Sequence, residues 1–209
     1  MGVLKLKLTI AYDGFQYKGW QVQKSGITVQ QKIEEALQKL FPSVDRVHSS
    51  SRTDTGVHAR GMVAHVEIEK DEYRIGELKL RLALNAFLPD DVSVLEVKRV
   101  PANFHARFDA TGKQYRYMIW NHPVSNPLTR HTSWHVSRNL DLADMQKAAK
   151  YFIGSHDFSA FAVKREYEMR STVRVVTNCK FYKKDSMLTC VIEGEGFLYK
   201  MCRGIIGTL

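Results

Sequence analysis

The chain has 209 residues, 44% apolar and 25% charged, with 31 Lys and Arg against 22 Asp and Glu for a net charge of +9. That length allows one sizeable core or two small halves and excludes three domains, while the balanced mixture of apolar and charged residues excludes a disordered chain. No apolar run reaches the ~18 residues of a membrane helix, the first residues alternate lysine with leucine unlike a signal peptide, and three cysteines without a close pair (Cys179, Cys190, Cys202) argue against a disulfide framework or a cysteine zinc site, so a reducing, cytoplasmic compartment is expected.

Leu4, Leu6, Leu8 and Ile10 alternate with Lys5, Lys7 and Thr9, the period of two of a half-buried strand. Asp13-Gly14 and Lys18-Gly19 break that strand into a loop. Thr28 opens a helix with Gln31 as its capping-box partner; Val29, Ile33, Ala36, Leu37 and Leu40 form one face and Pro42 ends it. Residues 62–68 read as a second strand. Over 72–88 the leucines at 78, 80, 82 and 84 alternate like a strand, but length and the leucine, lysine and arginine content favour a helix closed by Pro89. Residues 92–100 make a third strand.

The second half repeats the rhythm. Residues 113–120 form an aromatic-rich strand, and Asp141 caps a helix with Leu142, Met145, Ala149 and Phe152 on one face and Gly154 past its end. Strands over 173–182 and 188–193 form a hairpin around Lys183-Lys184-Asp185-Ser186. Phe197, Leu198, Met201, Ile205 and Leu209 make a last helical face. The order predicts two α+β halves, 1–103 and 104–209, packed on a shared antiparallel sheet with no flexible linker. The basic surplus points to an anionic partner such as nucleic acid, and it is uneven. Residues 1–103 carry 15 basic and 13 acidic side chains, a net +2; residues 104–209 carry 16 and 9, a net +7.

Chemistry concentrates in residues 49–60, where small polar residues and a glycine mark a loop leading directly into an apolar strand. Such a loop holds a side chain at a sheet end with little freedom. Its one carboxylate, Asp54, follows Arg52 by two residues. By residue type alone this is equally an Asx-turn aspartate beside a solvated arginine. Asp54-Thr55-Gly56 is also the aspartic-protease triplet, but that chemistry needs two carboxylates sharing a proton. The chain holds no second copy, so only a dimer partner could supply it, and a neighbouring guanidinium keeps an acid ionised instead of shared. The eight histidines show no metal-binding spacing, so no metal is expected.

Arg52-Thr53-Asp54-Thr55-Gly56-Val57-His58-Ala59 resembles the signature of the TruA family of tRNA pseudouridine synthases, with Ser51 where the family often has a glycine. Three more stretches resemble that family's motifs in order. They are Tyr12-Asp13-Gly14 with Gly19-Trp20-Gln21; Phe104-His105-Ala106-Arg107-Phe108 with Lys113-Gln114-Tyr115-Arg116-Tyr117 as a central strand; and Gly196-Phe197-Leu198-Tyr199-Lys200-Met201-Cys202-Arg203. The resemblance implies a pseudouridine synthase fold, two RRM-like or ferredoxin-like halves sharing a central, mostly antiparallel sheet. It also implies isomerisation of uridine to pseudouridine at positions 38, 39 and 40 of the tRNA anticodon stem-loop. No cofactor or metal is called for, and a homodimer bridged by a single tRNA is implied.

Residue by residue, the resemblance makes Asp54 the catalytic carboxylate, Arg203 its basic partner and Tyr115 the ring that stacks on the target base. By residue type alone, Arg203 reads equally as a solvated helix arginine and Tyr115 as a half-buried strand tyrosine. Reaching a uracil inside a stem requires flipping it out. Arg52 is suited to filling the vacated space or gripping the flanking phosphate, and Leu198 to walling the flipped base. Lys113, Arg116, Arg130, Arg138, Lys164, Arg165 and Arg170 are candidates for holding the tRNA body. The alternative is an RNA-binding protein of the same build without catalysis. Because the family usually continues past its last motif, the chain is expected to be truncated at Leu209.

Overall fold

The structure, a computed structural model, describes residues 2–163 and 171–209. It divides into two compact units, Met1–Ala110 and Thr111–Leu209. The first contains β1 (Val3–Tyr12), α1 (Val29–Gln38), β2 (Val47–Ser49), β3 (Ala59–Glu69), α2 (Glu77–Phe87) and β4 (Val92–Val100), the β-α-β-β-α-β order of ferredoxin-like units. Its antiparallel sheet runs β2-β3-β1-β4. Leu6, Leu8 and Ile10 of β1 and Met62, Ala64, Val66 and Ile68 of β3 form one core with Ile33 and Leu37 of α1 and Leu80 and Leu84 of α2.

Two local details explain the helices. The Gln31 amide donates to the Thr28 hydroxyl at 3.4 Å, but the Gln31 side chain donates onward to Glu35, so the cap works in one direction only. In α2, Leu80 and Leu84 are fully buried while Leu78 and Leu82 are 63% and 59% exposed. A strand would put all four leucines on one face, whereas helical geometry separates them into two pairs.

The second unit contains β5 (Lys113–Asn121), β6 (Trp134–Val136), α3 (Leu142–Ala149), β7 (Gly154–Asp157), β8 (Val173–Lys184), β9 (Met187–Gly194) and α4 (Met201–Thr208). The sheet order is β6-β5-β9-β8-β7, with β6 parallel to β5 and every other pair antiparallel. The Asp144 amide donates to the Asp141 carboxylate at 3.0 Å to cap α3, which tightens into a 3-10 turn over Lys150–Phe152 and stops before Gly154. Ile119, Cys179, Phe181, Leu188, Cys190 and Ile192 pack with Met145 and Ala149 of α3 and Met201 and Ile205 of α4. No helix among the described residues is long and apolar enough to cross a membrane.

Four expectations change. Among the described residues the strands pair as two sheets, not one shared sheet, because each half supplies its own neighbours, β1 between β3 and β4 and β9 between β5 and β8. Residues 104–108 do not extend strand β5 but form turns, in which the Phe104 amide donates to the Pro101 carbonyl and the Phe108 amide to the His105 carbonyl. The last helix starts at Met201 because Lys200 sits in the left-handed region, φ 60°. The short strands β2, β6 and β7 lie where none was expected.

Candidate active site

Asp54 lies in the loop between β2 and β3, and that loop is laced to the segment following β1. The Trp20 amide donates to the Thr53 carbonyl at 3.1 Å, and the Gly56 amide to the Tyr17 carbonyl at 3.3 Å. The hydroxyls of Tyr12 and Thr53 lie 2.8 Å apart. Within the loop the Val57 amide donates to the Asp54 carbonyl at 3.1 Å, and the Ser50 amide ties its start to Val63 of β3 at 2.7 Å. Asp54 is thus flanked on both sides by hydrogen-bonded backbone.

The packing is tight enough to dictate residue type. A Cβ on Gly14 would fall 2.0 Å from the Val57 carbonyl oxygen. One on Gly19, whose φ is +90°, would fall 2.6 Å from the Thr53 oxygen. Ser51 carries no such demand, since only Asp185 and Lys200 among the described non-glycine residues have positive φ. Tyr17 braces the assembly from behind by donating to Asp91 Oδ1 at 2.6 Å; burial and that carboxylate hold its phenol well above the ordinary value, so it stays a donor. His58 Nδ1 lies 2.8 Å from Asp13 Oδ1 and 3.2 Å from the Gly14 amide. It donates to the carboxylate when protonated there and accepts from the amide when not.

The Asp54 carboxylate is half-buried and takes no side-chain hydrogen bond or ion pair among the described residues, while Arg52 is exposed and unpaired with it. Tyr115, Leu198 and Arg203 belong to the second unit. Tyr115, on β5, is half-buried with its ring edge-to-face on Phe197, centroids 5.1 Å apart. Leu198 is 6% exposed in the core, and Arg203 projects exposed from the first turn of α4. Of the basic residues expected to hold RNA, Arg116, Arg130 and Arg138 are exposed and Lys113 is half-buried; Lys164, Arg165 and Arg170 lie outside the described residues.

The sequence singles out Asp54 but not Tyr12, Tyr17, Gly14 and Gly19, which hold its loop, nor Phe197 as the partner of Tyr115. The signal was present in the two glycines of the Tyr12–Gln21 stretch, each at a backbone crossing. His105 packs edge-on against His65 at 4.7 Å, and His65 stacks on His48 at 5.1 Å. The three cysteines are free, and Cys202 is pushed up to about 12 by burial. Among the described residues no group of three or more His, Cys, Asp or Glu side chains could hold a metal ion.

The family model described as tRNA pseudouridine synthase matches residues 8–109 and 148–209. A protein of Ruminiclostridium cellulolyticum named tRNA pseudouridine synthase A is 47% identical over 206 residues, 98% of this chain and 82% of the relative. A protein of the same name from Thermoanaerobacter is 42% identical over 202 residues, covering 97% and 81%. One from Methylacidiphilum infernorum is 38% identical over 209 residues, covering 100% and 81%.

Proposed function

Because the chain belongs to the tRNA pseudouridine synthase family, we propose that it isomerises uridine to pseudouridine at positions 38, 39 and 40 of the tRNA anticodon stem-loop. The reaction breaks the bond from ribose C1′ to uracil N1, turns the base and joins C1′ to C5. The C5 proton is lost and N1 gains one, so the atoms balance without a co-reactant. Uracil is both leaving group and nucleophile. What the protein must supply is one well-placed carboxylate, a grip on the detached base and a proton path.

The observation that carries this proposal is the Asp54 loop, a half-buried carboxylate without a protein partner among the described residues on a backbone pinned at Thr53, Gly56 and Val57. Asp54 acts as nucleophile at C1′ or as base towards a ribose proton. Arg203 keeps it ionised and oriented, and Tyr115, its ring set edge-on by Phe197, stacks on the uracil and assists loss of the C5 proton. Leu198 backs the flipped base and Arg52 holds the space it leaves. The protein works as a cytoplasmic homodimer bridged by one tRNA.

Incubating the protein with unmodified tRNA and mapping pseudouridine tests this directly. Conversion confined to positions 38–40 is expected. Binding without conversion would leave an RNA-binding protein, and conversion elsewhere would refute the anticodon-arm assignment. Equilibrium sedimentation of the protein should give twice the chain mass.

A further inference from the structure

Helices α3 and α4 of the second unit pack on one face of its sheet. The register of the three central strands fixes what the other face carries. Along it, Arg116, Val191 and Lys180 stand in one row across β5, β9 and β8. The next row is Met118, Thr189 and Tyr182, and the next Trp120, Met187 and Lys184. A fourth row, Gln114, Glu193 and Asn178, borders the first. The alternate residues of the same strands, Ile119, Leu188, Cys190, Ile192, Cys179 and Phe181, are the core beneath the helices.

This open face combines an apolar floor, two aromatic rings and three cations. Arg116, Lys180 and Lys184 are exposed and none forms an ion pair among the described residues. Tyr182 is 54% exposed. Trp120 is half-buried, and its indole N–H donates to the Val124 carbonyl at 2.9 Å, which fixes the ring. The one acid in the four rows, Glu193, accepts from Gln114 through one oxygen and from Asn178 through the other, at 3.2 Å. Gln114 in turn accepts from Arg116 Nε at 2.7 Å, so the network that occupies the acid also orients the arginine.

We propose that this face is an RNA-docking surface for an unpaired stretch of RNA, additional to the elements that carry Asp54, Tyr115 and Arg203. The aromatic rings stand two strands and one row apart, ~12 Å, within reach of bases splayed along one strand of RNA. Stacking on sheet-borne rings reads any base, and the three cations follow the backbone phosphates. A duplex keeps its bases stacked on each other and offers the rings nothing. A protein partner of matching chemistry would need acids opposite three separated cations, and it is an outcome of the test. The inference rests on the proposed activity only in taking tRNA as the natural source of that RNA.

Titrating labelled, unmodified tRNA at several salt concentrations tests the face without requiring turnover. Lys180→Glu with Lys184→Glu is expected to raise Kd at least tenfold at moderate salt and to lower the slope of log K against log salt by about two. Tyr182→Ala should raise Kd about fivefold or more while leaving the slope as it was. Lys147→Glu with Lys150→Glu, the same charge change on α3 and the turn that follows it, should leave Kd unchanged. Kd within twofold of the parent for both face variants overturns the proposal, as does an equal loss in the α3 control, which would trace the effect to net charge. Unchanged RNA binding with an altered sedimentation coefficient would give the face to a protein contact and overturn it too. A parent protein that binds through this face yet makes no pseudouridine contradicts the proposed activity and leaves the face standing.

Discussion

The two units use the helix-free faces of their sheets in opposite ways. In the first unit the turn over 101–109 lies on that face: Lys5 Nζ donates to the Phe104 carbonyl at 3.0 Å and the Ala106 amide to His65 Nδ1 at 3.1 Å. His65 is consequently 2% exposed and flanked by His48 and His105. In the second unit the same side of the sheet carries several exposed cations, Arg116, Lys180 and Lys184 among them. Charge follows the same division, with 16 basic and 14 acidic residues in 1–110, a net +2, and 15 and 8 in 111–209, a net +7. A nearly neutral, fastened unit fixes a carboxylate in place, and a basic unit with an open face can adapt to a polyanion. Placing a reactive group demands rigidity, whereas gripping RNA demands charge and access.

The sharpest way to break this contrast is through acid. Burial, then the neighbouring His105, His48 and Lys5, lower the His65 pKa to about 4. A base whose folded pKa lies below its unfolded value, near 6.5, gives full stability above that value and loses it as the pH falls towards 4. The expected loss is about 3 kcal/mol over that window, read by urea unfolding at pH 7 and pH 4.5. His65→Gln, which keeps an acceptor for the Ala106 amide, should narrow the difference between the two pH values. An unchanged difference would mean that the fastening does not depend on a neutral His65.

Gly19→Ala forces a methyl group towards the Thr53 oxygen from a left-handed backbone, and should cost about 2 kcal/mol together with a fall in conversion rate. Full activity in that variant would show that the loop does not need its lacing. Tyr12→Phe removes one hydroxyl contact to Thr53 and should cost ~1 kcal/mol in chemical denaturation. The smallest effect concerns the second core. Cys190, raised by its hydrogen bond to Cys179 and by burial, and Cys202, raised by burial, should resist alkylation at pH 8 until the protein is unfolded. Fast labelling of native protein would mean that this core opens readily.

Much of this was legible in the sequence wherever a period was long enough to register. The leucines of β1, the Thr28-capped face of α1 and the β8–β9 hairpin all declared themselves. Strands β2 and β6 escaped because three residues carry barely one repeat of a period-2 pattern, and their pairing is decided by neighbours far along the chain. Residues 104–108 misled because their motif was read together with the strand that follows it, whereas here they turn, the Phe104 amide on the Pro101 carbonyl and the Phe108 amide on the His105 carbonyl. Asp54 was visible through its own motif. Its supports were not, since a glycine at a backbone crossing looks like any loop glycine until the crossing strand is known. The open face of the second sheet was hidden for the same reason, because its rows exist only once the register across three strands is set.

The central claim is that Asp54 performs the chemistry while RNA affinity resides elsewhere. Measuring single-turnover conversion and tRNA affinity side by side for Asp54→Asn separates the two. The expected result is a loss of conversion of about 1,000-fold or more with Kd within twofold of the parent. Conversion that survives, or affinity that falls with it, would contradict the account.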